Sequence, residues 1–255
     1  MRAVIKVGTS TLAHKTGRIN IRRVEKLCKT LSDLKNEGNE IILVSSGAIG
    51  MGLGKLMITE RPSDVPTKQA AAAVGQCELM YTYDKLFSEY RHTVAQILLT
   101  GGDIDNEEHR KNIQNTLFRL LQLGALPIIN ENDTVATEEI VIGDNDTLGA
   151  VTAKAVNADL LVILSDIDGL FDKDPHRFSD AELIHKVENL TDEIKSLGGG
   201  TGTKLGTGGM ITKLKAAEIC VNSGVEMVIA NGESPECLYD IFEGLDVGTR
   251  FLPKK

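Results

Sequence analysis

Two lysines stand in unusual company. Lys6 ends an apolar run, Ala3-Val4-Ile5, and is followed by Val7-Gly8-Thr9-Ser10. An ammonium beside a buried strand must find a partner. Gly8 lets backbone N–H groups approach an anion, and the hydroxyls of Thr9 and Ser10 can donate to it. A lysine on an edge strand reaching solvent is the alternative reading. Lys213 closes the run Gly206-Thr207-Gly208-Gly209-Met210-Ile211-Thr212-Lys213, in which glycines precede a helix with a lysine in its first turn. That lysine opposes the helix dipole, so a nearby anion would rationalise it. The design is that of flexible backbone donors plus one mobile cation, without the spacing G-x-x-x-x-G-K-[ST]. A flexible surface loop is the plainer reading.

Three further clusters carry groups of other kinds. Ser45-Ser46-Gly47-Ala48-Ile49-Gly50-Met51-Gly52 ends an apolar run with hydroxyls and glycines and opens a helix, which suits an anion or merely a tight turn. Asn130-Glu131-Asn132-Asp133-Thr134 offers several ligating groups, followed by Gly143-Asp144-Asn145-Asp146 at a helix start. Solvated polar loops are common, and Asp144 suits an N-cap, but capping does not account for the amide and carboxylate beside it. Ser165-Asp166-Ile167-Asp168-Gly169 is either a turn or a contact for the ribose or base of a nucleotide. Two cations at phosphate-suited turns, with acidic and amide groups nearby, match phosphoryl transfer, which needs positioning and charge neutralisation more than covalent chemistry.

These segments share one position: each follows a short apolar run or opens a helix. Strands are expected at Ala3–Val7, Glu40–Ser45, Val94–Leu99, Leu126–Ile129, Leu160–Leu164 and Val225–Ala230. Glu40–Ser45, nearly continuous in Ile, Leu and Val, reads as a strand covered on both faces. Helices are expected from Asn20, as cap, to Gly38, then at Lys68–Tyr90, Asn106–Leu123, Asp144–Val156, Thr212–Asn222 and Pro235–Phe242. The alternation implies one α/β domain with a mostly parallel sheet and helices on both faces. In such sheets ligands bind beyond the carboxyl ends of the strands. The Gly-rich stretch Gly198–Gly202 reads as a loop, and no linker or repeat divides the chain.

Composition narrows the function classes. The 255 residues are 42% hydrophobic and 25% charged with a net charge of −8, which disfavours a nucleic-acid binder. Cys28, Cys77, Cys220 and Cys237 form no C-x-x-C pair and no zinc spacing, and are expected as free thiols of a reducing compartment. No apolar run reaches the ~20 residues of a membrane span. Met1 leads straight into a strand, so no signal peptide and a cytoplasmic location are expected. The five histidines are scattered in polar contexts, and no Ser-His-Asp or Cys-His arrangement competes. An NAD-binding G-x-G-x-x-G after the first strand is absent.

The ordered segments V-I-K-V-G-T-S, V-S-S-G-A-I, I-N-E-N-D-T-V, V-I-G-D-N-D, L-S-D-I-D-G-L and G-T-G-G-M-I-T-K, from Ile5 to about Phe251, resemble the successive motifs of the glutamate 5-kinases of the amino acid kinase family. The resemblance implies a three-layer sandwich spanning 1–255, with residues near 1–155 on the acid-substrate side and 156–255 on the nucleotide side. It implies ATP-dependent phosphorylation of the L-glutamate γ-carboxylate, the first step of proline biosynthesis, with Mg2+ carried by the ATP phosphates. Lys6 and Lys213 would stabilise the transferring phosphoryl group and Asp146 would hold them. Ser46, Gly47, Asp133 and Asn145 would bind glutamate. Gly8, Thr9, Ser165, Asp166, Thr207, Gly208, Gly209 and Met210 would line the nucleotide and its phosphates. Proline as feedback inhibitor and a homo-oligomer are further implications; a metal ligand on the protein is not assigned.

Two departures stand out. The chain stops at Lys255, where many relatives continue into a PUA domain, so a short form is expected. Val141 and Ile142 precede Gly143, where some relatives have a lysine before the glycine. Two rivals remain: a kinase of another small acid or phosphate, such as isopentenyl phosphate, and a glutamate or proline sensor without turnover. A sensor needs neither lysine, and the Asp133 cluster argues against an apolar substrate.

Overall fold

A computed structural model describes residues 1–14, 18–60, 62–135, 144–175, 177–199 and 209–254. The strands are β1 Arg2–Val7, β2 Glu40–Val44, β3 Val94–Leu99, β4 Leu126–Glu131, β5 Leu160–Ser165, β6 Lys186–Val187, β7 Glu226–Asn231 and β8 Thr249–Phe251. The helices are α1 Thr9–Leu12, α2 Ile21–Asn36, α3 Ala48–Lys55, α4 Val65–Ser88, α5 Gly101–Asp105, α6 Glu107–Gln122, α7 Asn145–Ala155, α8 Asp192–Ser196, α9 Met210–Asn222 and α10 Cys237–Phe242. Every strand and long helix expected from the pattern is present.

The eight strands form one sheet in the order β3-β4-β2-β1-β5-β7-β8-β6. All pairings are parallel except that of β7 with β8. The chain's first strand is thus central, pairing with β2 on one side and β5 on the other. Strand alternation then splits the core in two. Ala3, Ile5 and Val7 pack with the inward residues of α2, α4 and α10, including Leu27, Leu31, Tyr83, Phe87 and Leu238. Val4 lies in the opposite cluster, with Leu117 and Leu121 of α6, Leu148 and Ala153 of α7, and Leu214 and Cys220 of α9. Lys6, two residues on from Val4, falls on that second face.

Differences from the expected elements have local causes. α4 begins at Val65 because the Asp64 side chain accepts from the Thr67 N–H at 2.8 Å, with Pro66 preset for a first turn. α5 was not expected; it is held by a capping box between Thr100 and Asp103. β6 and β8 are too short to show a pattern. Cys28 and Cys220 are buried, whereas Cys77 is exposed on α4. Among the described residues no helix is long and apolar enough to cross a membrane.

Candidate active site

The site forms at the carboxyl ends of β1, β2, β4 and β5, where the helices of the Lys6 face begin. Its centre is Asp146, in the first turn of α7 and without exposed surface. Lys6 Nζ lies 2.6 Å from Asp146 Oδ1, and Lys213 Nζ of α9 donates to Oδ2 at 3.1 Å. Both lysines are buried. Thr212 adds a third bond, its Oγ1 donating to Asp146 Oδ2 at 2.9 Å. Burial alone would raise the Asp146 pKa, but the two ammonium groups outweigh it and hold the carboxyl below the usual carboxylate value. The stem of Lys6 passes over Gly149 of α7, where a Cβ would touch Lys6 Cβ at 3.5 Å. A larger residue at 149 would crowd the lysine.

The turns around this centre touch one another. Gly8 caps α1, and its N–H reaches the Leu164 carbonyl at 3.4 Å. Gly47 caps α3 with φ of +95°, a left-handed conformation that favours glycine, and a Cβ there would stand 3.6 Å from Thr9 Cγ2. Gly8, Thr9, Ser46 and Gly47 therefore belong to one floor. Ser46 Oγ accepts from Asn145 Nδ2 at 2.7 Å. The same Nδ2 also reaches the Ser45 carbonyl at 2.8 Å and Asn130 Oδ1 at 3.0 Å. Ser45 Oγ is bonded to the buried Tyr83 hydroxyl at 2.9 Å.

Beside the amides lies a patch of carboxyls. Burial pushes Glu131 up from 4.5 to about 7, with the charges of Asp133 and Asp144 adding to the effect. Burial also raises Asp133, and burial together with Asp146 raises Asp144. Lys6 and Lys213 offset part of this at Asp144, and a patch of raised carboxyls suits an ammonium group.

On the β5 side, Ser165 ends its strand buried, and its Oγ donates to Asp166 Oδ1 at 3.2 Å. Asp168 accepts from Asn231 Nδ2 at 2.7 Å, tying the β5 turn to the end of β7. Gly209 caps α9 and Met210 is its first residue. Thr207, Gly208, Val141 and Ile142 lie outside the described residues. The structure thus brings Lys6, Asp146 and Lys213 together, sets Ser46, Gly47 and Asn145 beside them, and leaves Ser165 and Asp166 on the neighbouring strand end. Sequence reasoning missed Gln76, and it placed Thr212 and Glu131 in candidate segments without giving either a role of its own. Thr212 adjoins Lys213 on a helix start. Gln76 is the one polar side chain in a run of small residues around Gly75. Neither signal is decisive without the fold.

Residues 1–231 match the amino acid kinase family. The chain is 55% identical to glutamate 5-kinase of Caldanaerobacter subterraneus subsp. tengcongensis over 255 residues, covering all of this chain and 68% of that protein. It is 50% identical to glutamate 5-kinase of Clostridium perfringens, covering all of this chain and 96% of that one. Carbamate kinase from Giardia lamblia bound to AMP-PNP superposes with a TM-score of 0.70 at 18% identity, covering 99% of this chain and 98% of that one, a likeness of fold. The chain belongs to the amino acid kinase family, among its glutamate 5-kinases.

Proposed function

We propose that this chain transfers the γ-phosphoryl group of ATP to the γ-carboxylate of L-glutamate, giving ADP and γ-glutamyl phosphate, the first step of proline biosynthesis. The observation that carries this reading is one buried carboxylate, Asp146, holding the ammonium groups of Lys6 and Lys213 at 2.6 and 3.1 Å. The cluster retains one net positive charge at the strand ends where the family resemblance puts the phosphates. It is preorganised, so neutralising charge on the γ-oxygens costs little reorganisation.

The glutamate carboxylate is ionised at pH 7 and needs no general base. One of its oxygens attacks the γ-phosphorus in line. The bond from phosphorus to the β,γ-bridging oxygen breaks, and its electron pair leaves on the β-phosphate of ADP. Lys6 and Lys213 follow the charge as it spreads over the equatorial oxygens. Ser46, Gly47 and Asn145 hold the acid, and Glu131, Asp133 and Asp144 receive its α-ammonium. Gly8 and Thr9 line the phosphate path, with Ser165, Asp166, Gly209 and Met210 on the nucleotide side, so that residues near 1–155 and 156–255 divide the two substrates.

Magnesium would arrive on the ATP phosphates. Phosphate oxygens would supply its ligands; among the described residues no group of three or more His, Cys, Asp and Glu side chains is placed to hold an ion. Proline inhibition at the glutamate pocket, a homo-oligomeric assembly and a cytoplasmic location complete the reading.

The test is ADP release from MgATP with L-glutamate, aspartate, N-acetylglutamate or no acid, with hydroxylamine trapping any acyl phosphate. Glutamate-dependent ADP together with γ-glutamyl hydroxamate is the expected result. Turnover with another acid alone would overturn the substrate assignment.

A further inference from the structure

Helix α4 does more than cover the sheet. It touches α3 backbone to backbone: a Cβ on Gly75 would lie 1.7 Å from the Ala48 carbonyl oxygen, and one on Gly52 would lie 1.8 Å from that of Ala71. This closeness brings Gln76, next to Gly75 and buried, against the site. Gln76 Oε1 accepts from Asn130 Nδ2 at 2.9 Å.

The direction of each bond in this chain of amides follows from groups that cannot change role. The Glu131 backbone N–H can only donate, and its acceptor at 2.9 Å is Asn130 Oδ1. The other end of the Asn130 amide is therefore its NH2, so Gln76 must present oxygen. The Ser45 carbonyl can only accept, and Asn145 Nδ2 lies 2.8 Å from it. Asn145 thus turns its NH2 inward, to Ser45 and to Asn130 Oδ1. Two buried atoms of these amides then have no hydrogen-bond partner among the described residues: Asn145 Oδ1, an acceptor, and Gln76 Nε2, a donor. Ser46 Oγ shares the same NH2 as a third acceptor, at 2.7 Å, and so keeps its own proton for another group.

We propose that Gln76 is a positioning residue for the amino-acid substrate: through Asn130 it locks the Asn145 amide so that its buried, unpartnered Oδ1 is the acceptor offered to the α-ammonium. The inference rests on the glutamate reading above. Removing the oxygen of Gln76 leaves Asn130 Nδ2 buried without an acceptor. Asn130 and then Asn145 shift, and the acid is held less well while the phosphate machinery around Asp146 is untouched.

The experiment is a double-mutant cycle on the full chain, with Gln76→Met, Asn130→Ala and both together; Gln76→Leu replaces Gln76→Met if that variant does not fold. Gln76→Met is expected to raise the KM for L-glutamate about tenfold, with kcat and the KM for MgATP within about twofold. Gln76→Glu, which keeps an oxygen opposite Asn130, should restore most of the loss. In the Asn130→Ala background Gln76→Met should add nothing. Additive effects, an equal rise in both KM values, or a fall in kcat alone would overturn the proposal while leaving the kinase reading intact. Absence of glutamate turnover in the unaltered chain overturns that reading, and this inference with it.

Discussion

Lys6 Nζ stands 2.6 Å from Asp146 Oδ1, a central strand bonded by charge to the first turn of a helix. Because Asp146 has no exposed surface, neither charge can be screened by water in its place. Asp146→Asn should therefore act twice. It should lower kcat by about 10²–10³ through mispositioned lysines. It should also destabilise the fold, by up to about 3–5 kcal/mol, since Lys6 and Lys213 lose the buried carboxylate that joins them. Steady-state kinetics and urea unfolding read the two effects separately. Lys6→Ala or Lys213→Ala with near-normal turnover would contradict the roles given to them.

Thr212 donates to the same carboxylate at 2.9 Å, and its hydroxyl also approaches the Gly209 carbonyl at 2.8 Å. Thr212→Val should reduce kcat by about tenfold, the order of one lost bond to a charged group. Thr212→Ser should keep most of the activity. Equal loss in both variants would point to the methyl group instead.

The acidic patch gives a pH dependence with a definite sign. Glu131 is raised from 4.5 to about 7 in the folded chain. Between those values the folded state holds a proton that the unfolded state has released. The stabilising contribution of this group is full below about pH 4.5 and is lost as pH rises through about 7. Binding of an ammonium-bearing acid runs the other way, improving as Glu131 ionises. The KM for L-glutamate should fall as pH is raised from about 6 to 8, and Glu131→Gln should flatten both trends. Thermal unfolding without ligand and KM across pH are the measurements.

Gly75 and Gly52 set the distance between α3 and α4. A methyl group at Gly75 would stand 1.7 Å from a backbone oxygen, which no rotamer change relieves. Gly75→Ala should cost about 1–3 kcal/mol or more by overpacking. Exposed Gly102, where a Cβ would make only an ordinary contact with Thr100 Oγ1 at 3.8 Å, should accept alanine with little effect. Melting temperatures of the two variants, side by side, test this.

The sequence makes Lys6 legible because an ammonium amid Ala, Val and Ile demands a partner. It does not name the partner: Asp146 comes from a distant segment, and only the placing of β1 beside β5 with α7 above them brings the two together. Strand alternation supplies the link, since Lys6 shares the face of Val4 and α7 packs on that face. Gln76 shows the opposite limit. A glutamine in an Ala-rich helix looks like solvent-facing filler until the glycine contact with α3 fixes which side is inward. The antiparallel strand β8 escaped the pattern because three residues carry no periodicity.

The central place of β1 has a consequence for how the chain is made. Its first strand pairs on one side with β5, Leu160–Ser165, and Lys6 gains its cationic partner, Lys213, only from α9. On a ribosome, the leading strand emerges long before either is available. Early segments can collapse around α2 and β2, but the charged centre waits until most of the polypeptide has been translated. A partly synthesised or prematurely terminated product would therefore lack the assembled cation pair, and nascent chains would leave cellular ATP alone.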